Sequence, residues 1–181
     1  MPRLLLINGL PGSGKSTLAA RYVADRPLAL CLDVDVVRAL LGAWPEHPHD
    51  AGLLARRLAL AMARVVLSEG HDVVVPQFLA RPQFIAELES LAAEVEAEFV
   101  EVVLVEEPDA AAARLAHRAA GPMTAVQRDA HAMLDRAGGL ATVPELHRRL
   151  HGMLASRPRA RRVEPVSGDV ERTYQELIDR L

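Results

Sequence analysis

The apolar residues of this chain fall first into short continuous runs. The clearest runs occupy positions 4–8, 28–32 and 99–105, and shorter or weaker ones lie at 73–75 and 160–166. Apolar residues that follow one another without alternation are typical of strands buried on both faces. We therefore predict five strands, of which the first is closed by Gly9 and the second by Asp33.

Between these runs, apolar residues recur every three or four positions, as they do on one face of a helix. Such stripes lie within 84–95, 126–137 and 146–154, and a further helix is predicted for 16–25. The residues from Thr142 to Glu145 have the spacing of a capping box, with proline in the first turn. This spacing predicts that a helix begins there.

Strands that alternate with helices predict an α/β fold, in which a five-stranded parallel sheet carries helices on both faces. We expect one domain over 1–181, because no linker or repeat interrupts the pattern. The segment 119–139 is distinctive, since Gly121-Pro122 opens it and Gly138-Gly139 closes it. Glycine and proline at both ends of an amphipathic helix predict a hinged lid.

Composition narrows the class of protein. Half of the 181 residues are apolar and the net charge is −3, which allows a normal core and argues against a protein that coats nucleic acid. No stretch approaches the roughly 18 to 20 apolar residues of a membrane span, and the N-terminus is too short for a signal peptide, so we predict a soluble cytoplasmic protein. The single cysteine, Cys31, lies in an apolar run, which favours a buried thiol over a nucleophile.

A glycine-rich segment follows the first predicted strand and opens the first predicted helix. It consists of Gly9, Leu10, Pro11, Gly12, Ser13, Gly14, Lys15, Ser16 and Thr17. This is the pattern G-x-x-x-x-G-K-[ST], whose backbone amides and helix N-terminus surround a phosphate. Lys15 is the only lysine in the chain, which favours a role that needs a compact ammonium group. The motif predicts ATP or GTP, with Lys15 on the β- and γ-phosphates and Ser16 on Mg²⁺.

Two carboxylates, Asp33 and Asp35, follow the second predicted strand. The carboxyl ends of parallel strands lie at the ligand side of such a sheet, and residues two apart on an extended strand face the same side. One carboxylate can accept the proton of an acceptor hydroxyl, and the other can hold the water shell of the metal. The alternative for Asp35 is the N-cap of a helix over 36–41, and for Asp33 a turn at the strand end.

With these aspartates the chain resembles the small-molecule kinases of the P-loop class, including zeta toxins, chloramphenicol phosphotransferase and adenylylsulfate kinase. These share a strand-end aspartate motif followed by a basic residue, which is Arg38 here. In the zeta toxins the second aspartate is the catalytic base and a histidine-proline pair follows. The resemblance therefore implies that Asp35 is the base, and His47-Pro48 matches the pair.

The rest of the acceptor site is less well marked. Several members of these families carry an acidic or small residue after the third strand, whereas this chain has Pro76-Gln77-Phe78. Gln77 and Arg81 still fall at the ligand end of the sheet, so we predict acceptor contacts for both. Trp44 follows the predicted acceptor helix, where it stacks on an acceptor or covers the core.

Arg114 and Arg118 stand one helical turn apart, before the predicted lid. In the kinases that this chain resembles, an R-x-x-x-R helix usually lays its arginines on the transferring phosphate, so both residues are predicted to be catalytic. The alternative is a solvent-exposed helix face, because this chain uses arginine at almost every cationic position.

Together these features predict an ATP-dependent phosphotransferase that acts on a hydroxyl of a small molecule. Two alternatives remain open from the sequence. A kinase of nucleic-acid 5′-hydroxyl ends is suggested by six arginines between 148 and 162. A nucleotide-dependent switch without an acceptor is suggested by the lack of an acidic residue after the third strand. The acceptor and the oligomeric state are not predicted.

Overall fold

The computed structural model describes residues 1–181 and contains a single five-stranded sheet. All four strand pairs are parallel, and the spatial order is β2-β3-β1-β4-β5. In the centre of the sheet, Leu4 of the first strand lies between Val73 and Phe99. The predicted five-stranded parallel sheet is confirmed. The strands are β1 Arg3–Gly9, β2 Leu30–Cys31, β3 Val73–Pro76, β4 Glu98–Leu104 and β5 Arg161–Val163.

Helices connect the strands and cover the sheet. The α-helices are α1 Lys15–Ala24, α2 Val34–Ala39, α3 Pro48–Ser68, α4 Pro82–Glu94, α5 Pro108–Ala119, α6 Ala125–Arg136, α7 Val143–Leu154 and α8 Val170–Ile178. Short 3-10 helices lie at Trp44–Glu46 and Gly139–Thr142. None of the helices is both long and apolar enough to cross a membrane.

Successive residues of β1 belong to two different cores, one on each face of the sheet. Leu4 and Leu6 pack in the larger core, which includes residues of α3, α4, α5 and α7. Leu5 and Ile7 pack in the smaller core with residues of α1 and α8. Because both faces of the sheet are covered, every side chain of the strand must be apolar or must have hydrogen-bond partners. This explains why apolar residues follow one another in β1 without alternation. The three-layer α/β architecture is confirmed.

The second strand is shorter than predicted. Leu28 has a φ of 62° and is 75% exposed, so this part of the run cannot pair with the sheet. Only Leu30–Cys31 forms the edge strand, beside β3. Cys31 is exposed, and the prediction of a buried thiol is therefore wrong. An edge strand of two residues leaves its outer side chains without a covering layer.

The longest helix, α3, was not predicted. Its buried positions recur at intervals of four and are alanines except for the last, namely Ala51, Ala55, Ala59, Ala63 and Leu67. Small residues let the helix lie close to the sheet, but they contribute little to a hydrophobic pattern, whereas the larger Leu58 and Met62 are exposed. The apolar residues of α3 therefore do not mark its buried face.

Helix α6 forms the middle of the segment predicted as a lid. Thr124 and Gln127 make a reciprocal capping box at its start. It has no buried residue and approaches α2, so it bridges the mouth of a cavity. The capping box predicted at Thr142 is absent, because that hydroxyl donates to the carbonyl of Gly139 instead. Helix α7 nevertheless begins at Val143, close to the predicted position.

Candidate active site

The glycine-rich segment is a turn that leads directly from β1 into α1. Gly12 and Gly14 have φ values of 88° and 92°, which a residue with a side chain rarely adopts. A Cβ atom on Gly12 would lie 2.9 Å from Cγ of Leu115 and 3.1 Å from the carbonyl oxygen of Ala111, both on α5. The loop is therefore pressed against α5, and only glycine fits between them.

The loop presents free amides at the start of α1. The backbone N–H groups from Gly14 to Thr17 donate to no carbonyl of the chain. Such groups at a helix N-terminus carry a partial positive charge and bind anions. A phosphate chain fits this arrangement, because four adjacent donors converge where the motif predicts the β-phosphate.

Lys15 is folded back onto its own loop. Its Nζ donates to the carbonyl of Leu10 at 2.7 Å and lies 3.5 Å from Oγ of Ser13. Burial, and after it the charge of Arg118, lower the pKa of Lys15 to about 8, although Asp33 and Asp35 act in the opposite direction. Nucleotide phosphates would replace the carbonyl of Leu10 as acceptor and restore a full positive charge.

The residues predicted to hold the metal do not form a metal site by themselves. Ser16 is exposed in the first turn of α1, and the chain contains no group of three or more His, Cys, Asp or Glu side chains that could hold a metal ion. Mg²⁺ usually keeps several waters and is bound through substrate phosphates and one or two protein oxygens. Ser16 and Asp33 fit this manner of binding, in which the ion arrives with the nucleotide.

A cavity of about 440 Å³ lies in front of the loop, and most predicted site residues line it. From the predicted set the lining includes Pro11, Gly12, Gly14, Lys15, Ser16, Thr17, Asp33, Asp35, Arg38, Gln77 and Arg118. Gly9 and Ser13 lie behind the loop, where a Cβ on Gly9 would meet Oγ of Ser13 at 2.8 Å. Trp44, Arg81 and Arg114 do not line the cavity.

Asp33 and Asp35 reach the cavity in a different way from the one predicted. The strand ends before them, and Asp33 is the N-cap of α2, with its Oδ1 accepting from the amide of Asp35 at 2.9 Å. The expectation that Asp35 is the cap is wrong, since Asp35 lies in the first turn of the helix. Burial raises the pKa of Asp33, and the neighbouring charge of Asp35 raises it further. Both carboxylates line the cavity because the helix starts at its edge.

Asp35 forms a unit with Arg38 and Trp44. The carboxylate pairs with Nη1 of Arg38 at 2.9 Å, one helical turn away. The guanidinium group lies 4.5 Å from the centre of the Trp44 ring, and the ring itself is buried. Of the two predictions for Trp44, packing on the protein fits the structure, because the ring supports Arg38 from behind. Arg38 in turn fixes the direction of the Asp35 carboxylate.

The loop after β3 is attached to the end of β1 by Asn8, which was not predicted. The buried side chain accepts from the amides of Gly9 at 2.8 Å and Leu79 at 2.9 Å, and donates to the carbonyl of Leu79 at 2.9 Å. It thereby positions the loop that carries Gln77. An amide at the end of a buried apolar strand was a signal in the sequence, since a buried polar side chain requires partners.

Two buried polar atoms at this side of the cavity have no partner. They are Nε of Arg38 and Oε1 of Gln77, a hydrogen-bond donor and an acceptor. Buried polar groups are nearly always satisfied in proteins, so each of these atoms requires a partner that the protein itself does not supply. Arg81, which was predicted beside Gln77, is exposed at the start of α4.

The two arginines of α5 have different positions. Arg114 donates from Nε to the carbonyl of Gly12 at 3.2 Å and pairs with Glu106, whose side chain is buried just after β4. Arg118 lies one turn further along and lines the cavity. Arg114 thus joins α5 to the phosphate loop without any movement of the lid, and Arg118 is the arginine that is available to a ligand. The role of Glu106 was not predicted, because it depends on how α5 docks.

Several of the arginines between 148 and 162 have partners within the protein. Arg157 joins Glu89 of α4 to the buried Glu101 of β4, with distances of 2.8 to 3.0 Å. Arg161 donates to the C-terminal carbonyl of Leu181 at 3.0 Å. Arg148 pairs with Glu145. These contacts hold the last strand and helices together, and they leave a smaller basic surface for nucleic acid than the sequence suggested.

A parallel sheet with a strand, a glycine-rich loop and a helix that leaves its first amides free defines a P-loop nucleotide-binding protein. The chain matches the family model described as AAA domain over residues 4–140. It belongs to this family. The uncharacterized protein Rv2004c of Mycobacterium tuberculosis H37Rv is 36% identical in an alignment of 146 residues that covers 74% of this chain and 29% of that protein. The chain therefore spans less than a third of the length of this relative.

Solved structures have the same fold over almost the whole chain. A gluconokinase from Sinorhizobium meliloti 1021 matches with a TM-score of 0.65 and 16% identity, over 99% of this chain and 91% of that one. A tunicamycin resistance protein from Deinococcus radiodurans matches with a TM-score of 0.62 and 16% identity, over 99% and 95%. At this identity the likeness concerns the fold, which is that of the P-loop small-molecule kinases.

Proposed function

We propose that the chain is a kinase that transfers the γ-phosphate of ATP to a hydroxyl group of a small molecule. The observation that carries this proposal is that Lys15, Asp33 and Asp35 line one cavity. A phosphate loop alone serves kinases, switches and motors. A carboxylate pair opposite the loop favours a kinase, because a hydroxyl acceptor needs a base and a switch does not.

In the proposed reaction, the loop amides and Lys15 hold the phosphates, and Ser16 holds the Mg²⁺ that accompanies them. The acceptor oxygen attacks the γ-phosphorus, the bond from that phosphorus to the β,γ-bridging oxygen breaks, and ADP leaves. The hydroxyl proton goes to a carboxylate. Arg118 stabilises the negative charge on the transferring group.

The two carboxylates are assigned different roles. Asp33 is half-buried at the start of α2 and lines the cavity together with Lys15. One of its oxygens is occupied by the cap of α2, and the other is available to the water shell of Mg²⁺. Asp35 pairs with Arg38 and lines the same cavity as Gln77, and we assign it as the base.

In this scheme the lid keeps water away from the nucleotide, because water competes with the acceptor for the γ-phosphate. Water must be excluded from the γ-phosphate, or ATP is hydrolysed instead of used. The segment 119–139 lies over the cavity through α6 and is bounded by Gly138, at a φ of 116°. We propose that it closes when nucleotide binds, which hydrogen exchange across α6 with and without a non-hydrolysable ATP analogue would measure.

The test of the proposed function is a pair of isosteric variants, Asp35→Asn and Asp33→Asn. A library of hydroxyl compounds is first searched for an ATP-dependent mass gain of one phosphate. With the acceptor found, we expect Asp35→Asn to lower kcat by about 100-fold or more with nearly unchanged ATP affinity. Asparagine caps a helix as well as aspartate does, so Asp33→Asn should fold normally and instead require more Mg²⁺.

The result that contradicts the assignment is normal turnover by Asp35→Asn together with a lower melting temperature, which would leave only a structural role. Salt-sensitive binding of a 5′-hydroxyl oligonucleotide, together with its phosphorylation, would favour the polynucleotide kinase instead.

A further inference from the structure

The lid contributes an apolar wall to the cavity. Helix α6 has a stripe of apolar residues but buries none of them in the protein. Val126, Ala130, Met133 and Leu134 line the cavity, and Met123 before the helix joins them. A helix normally turns its apolar stripe to a core. Here the stripe faces the space in which the ligand binds.

This wall lies over the acceptor side of the cavity. Helix α6 approaches α2, the helix that carries Asp35 and Arg38. Phe78, which follows Gln77, adds a further apolar surface to the same cavity. Two polar residues of the lid also line the cavity, but Gln127 is engaged in the capping box and His131 lies beside Asp135. The region in front of Asp35 therefore faces a mainly apolar lid.

The polar side is small. It consists of the Asp35 carboxylate and the side chains of Arg38 and Gln77, all of which line the cavity. These groups can orient one or two hydroxyls. A polyol or sugar acid carries hydroxyls around its whole surface, and those facing Val126 and Met133 would lose water without gaining a partner. An apolar skeleton in the same place gains from leaving water.

We propose that the acceptor is an amphipathic alcohol, with its hydroxyl held at Asp35 and an aromatic or branched aliphatic body against the lid. The proposal rests on the kinase function proposed above and specifies its substrate class. The lid then has two tasks, since the same helix that excludes water also contacts the body of the acceptor. Closure becomes favourable when an apolar body is present to cover the stripe.

The experiment compares two probes that share a diol head, glycerol and 3-phenoxy-1,2-propanediol. Binding is measured by calorimetry with Mg²⁺ and a non-hydrolysable ATP analogue, and phosphorylation is measured separately with ATP. We expect the phenoxy compound to bind, and to be used with a kcat/KM at least about 30-fold higher than that of glycerol. The full-length chain is used throughout.

Two double variants test whether the preference for the phenoxy compound depends on the lid. Val126→Ser with Met133→Ser makes the lid stripe polar, and we expect it to reduce the preference to within a few-fold through a higher KM. Leu58→Ser with Met62→Ser is the matched control on α3, where both residues are about 40% exposed and lie outside the cavity. The control should retain the preference, which excludes a general effect of removing surface hydrophobicity.

The outcomes separate the two proposals. If the phenoxy compound binds in a lid-dependent manner but no phosphate is transferred to any alcohol, the amphipathic ligand stands and the kinase function fails. If both diols are phosphorylated equally, or if the lid variant changes nothing, the kinase function stands and the amphipathic acceptor is refuted. Absence of binding by the phenoxy compound also refutes it, because the stripe then closes only on the protein itself.

Discussion

The phosphate loop and the wall opposite it are stabilised in different ways. At the loop, Gly12 leaves no room for a Cβ atom against α5, and both Lys15 and Arg114 donate to loop carbonyls. At the opposite wall, Arg38 and Gln77 each keep a buried polar atom without a partner, and α6 buries no side chain. The proposed donor side is thus formed by packing within the protein, whereas the proposed acceptor side leaves polar groups without partners in the protein.

This difference shows which part of the site should tolerate change. A tightly packed loop is sensitive to a single added methyl group, because neighbouring atoms cannot move without disturbing α5. A wall with unsatisfied groups and an exposed lid can accept new side chains at little cost in stability. We therefore expect changes at the loop to affect folding and nucleotide binding, and changes at the wall to affect the choice of acceptor.

We expect the largest effect from removing the charge of Lys15 in the phosphate loop. Lys15→Met should weaken Mg²⁺-ATP binding by about 1,000-fold, or ~4 kcal/mol, because two charge-assisted contacts to phosphate are lost. Calorimetry measures the affinity. Arg21→Met, an exposed cation on the same helix, is the control and should bind normally. Equal affinities in Lys15→Met and wild type would mean that the loop is not a nucleotide site.

The second prediction tests whether the loop is packed as tightly as described. Gly12→Ala and Gly14→Ala both place a side chain at a left-handed φ, but a Cβ on Gly14 meets nothing within 4 Å. Gly12→Ala should therefore lower the free energy of unfolding by ~2 kcal/mol more than Gly14→Ala, through its contact with Leu115. Urea denaturation of the nucleotide-free proteins measures the difference. If both variants lost the same free energy of unfolding, α5 would have to move away from Gly12 at little cost.

We expect the smallest effect on ATP affinity from a change of pH, through loss of the proton from Lys15. With the pKa of Lys15 at about 8, part of the nucleotide-free protein loses the ammonium charge as the pH rises, whereas bound phosphates retain it. ATP affinity should then fall about tenfold between pH 7 and 9, with proton uptake on binding above pH 8. The stability of the nucleotide-free protein changes in the opposite direction. Because the pKa of Lys15 is lower in the folded than in the unfolded state, the contribution of Lys15 to the free energy of unfolding rises with pH.

Calorimetry in buffers of different ionisation enthalpy measures the proton uptake. Lys15→Arg supplies the control, because a guanidinium group stays charged throughout this range and its affinity, though lower, should not depend on pH. A wild-type affinity that is flat from pH 7 to 9 would place the pKa of Lys15 well above 8.

The sequence predicted those features that depend on neighbouring residues in the chain. The phosphate loop is one continuous motif, and β1 is a continuous apolar run, so both could be identified without the structure. Both carboxylates line the cavity, but the helix cap that was considered as an alternative role for Asp35 belongs to Asp33, because the strand ends at Cys31 and the helix starts earlier than the pattern indicates. Single-residue boundaries are decided by hydrogen bonds that the sequence does not record.

Features that depend on docking could not be predicted in the same way. Arg114 and Arg118 have the same spacing and chemistry, yet only the position of α5 against Gly12 makes one structural and leaves the other in the cavity. The pairing of Glu106 with Arg114 joins positions on either side of a turn and arises from the same packing. Helix α3 was missed because four of its five buried residues are alanines, which give a weak hydrophobic signal.

Asn8 has a consequence for how proteins with this site diverge. Its side chain holds the loop after β3 to the end of β1, so the distance between the phosphate loop and Gln77 is set by the spacing of adjacent strands. Mutations that alter α6 or replace Gln77 leave this spacing unchanged. If the proposed phosphoryl transfer holds, new acceptors can be acquired by exchanging contact residues one at a time, while the distance from the phosphate loop to the acceptor stays as the sheet sets it.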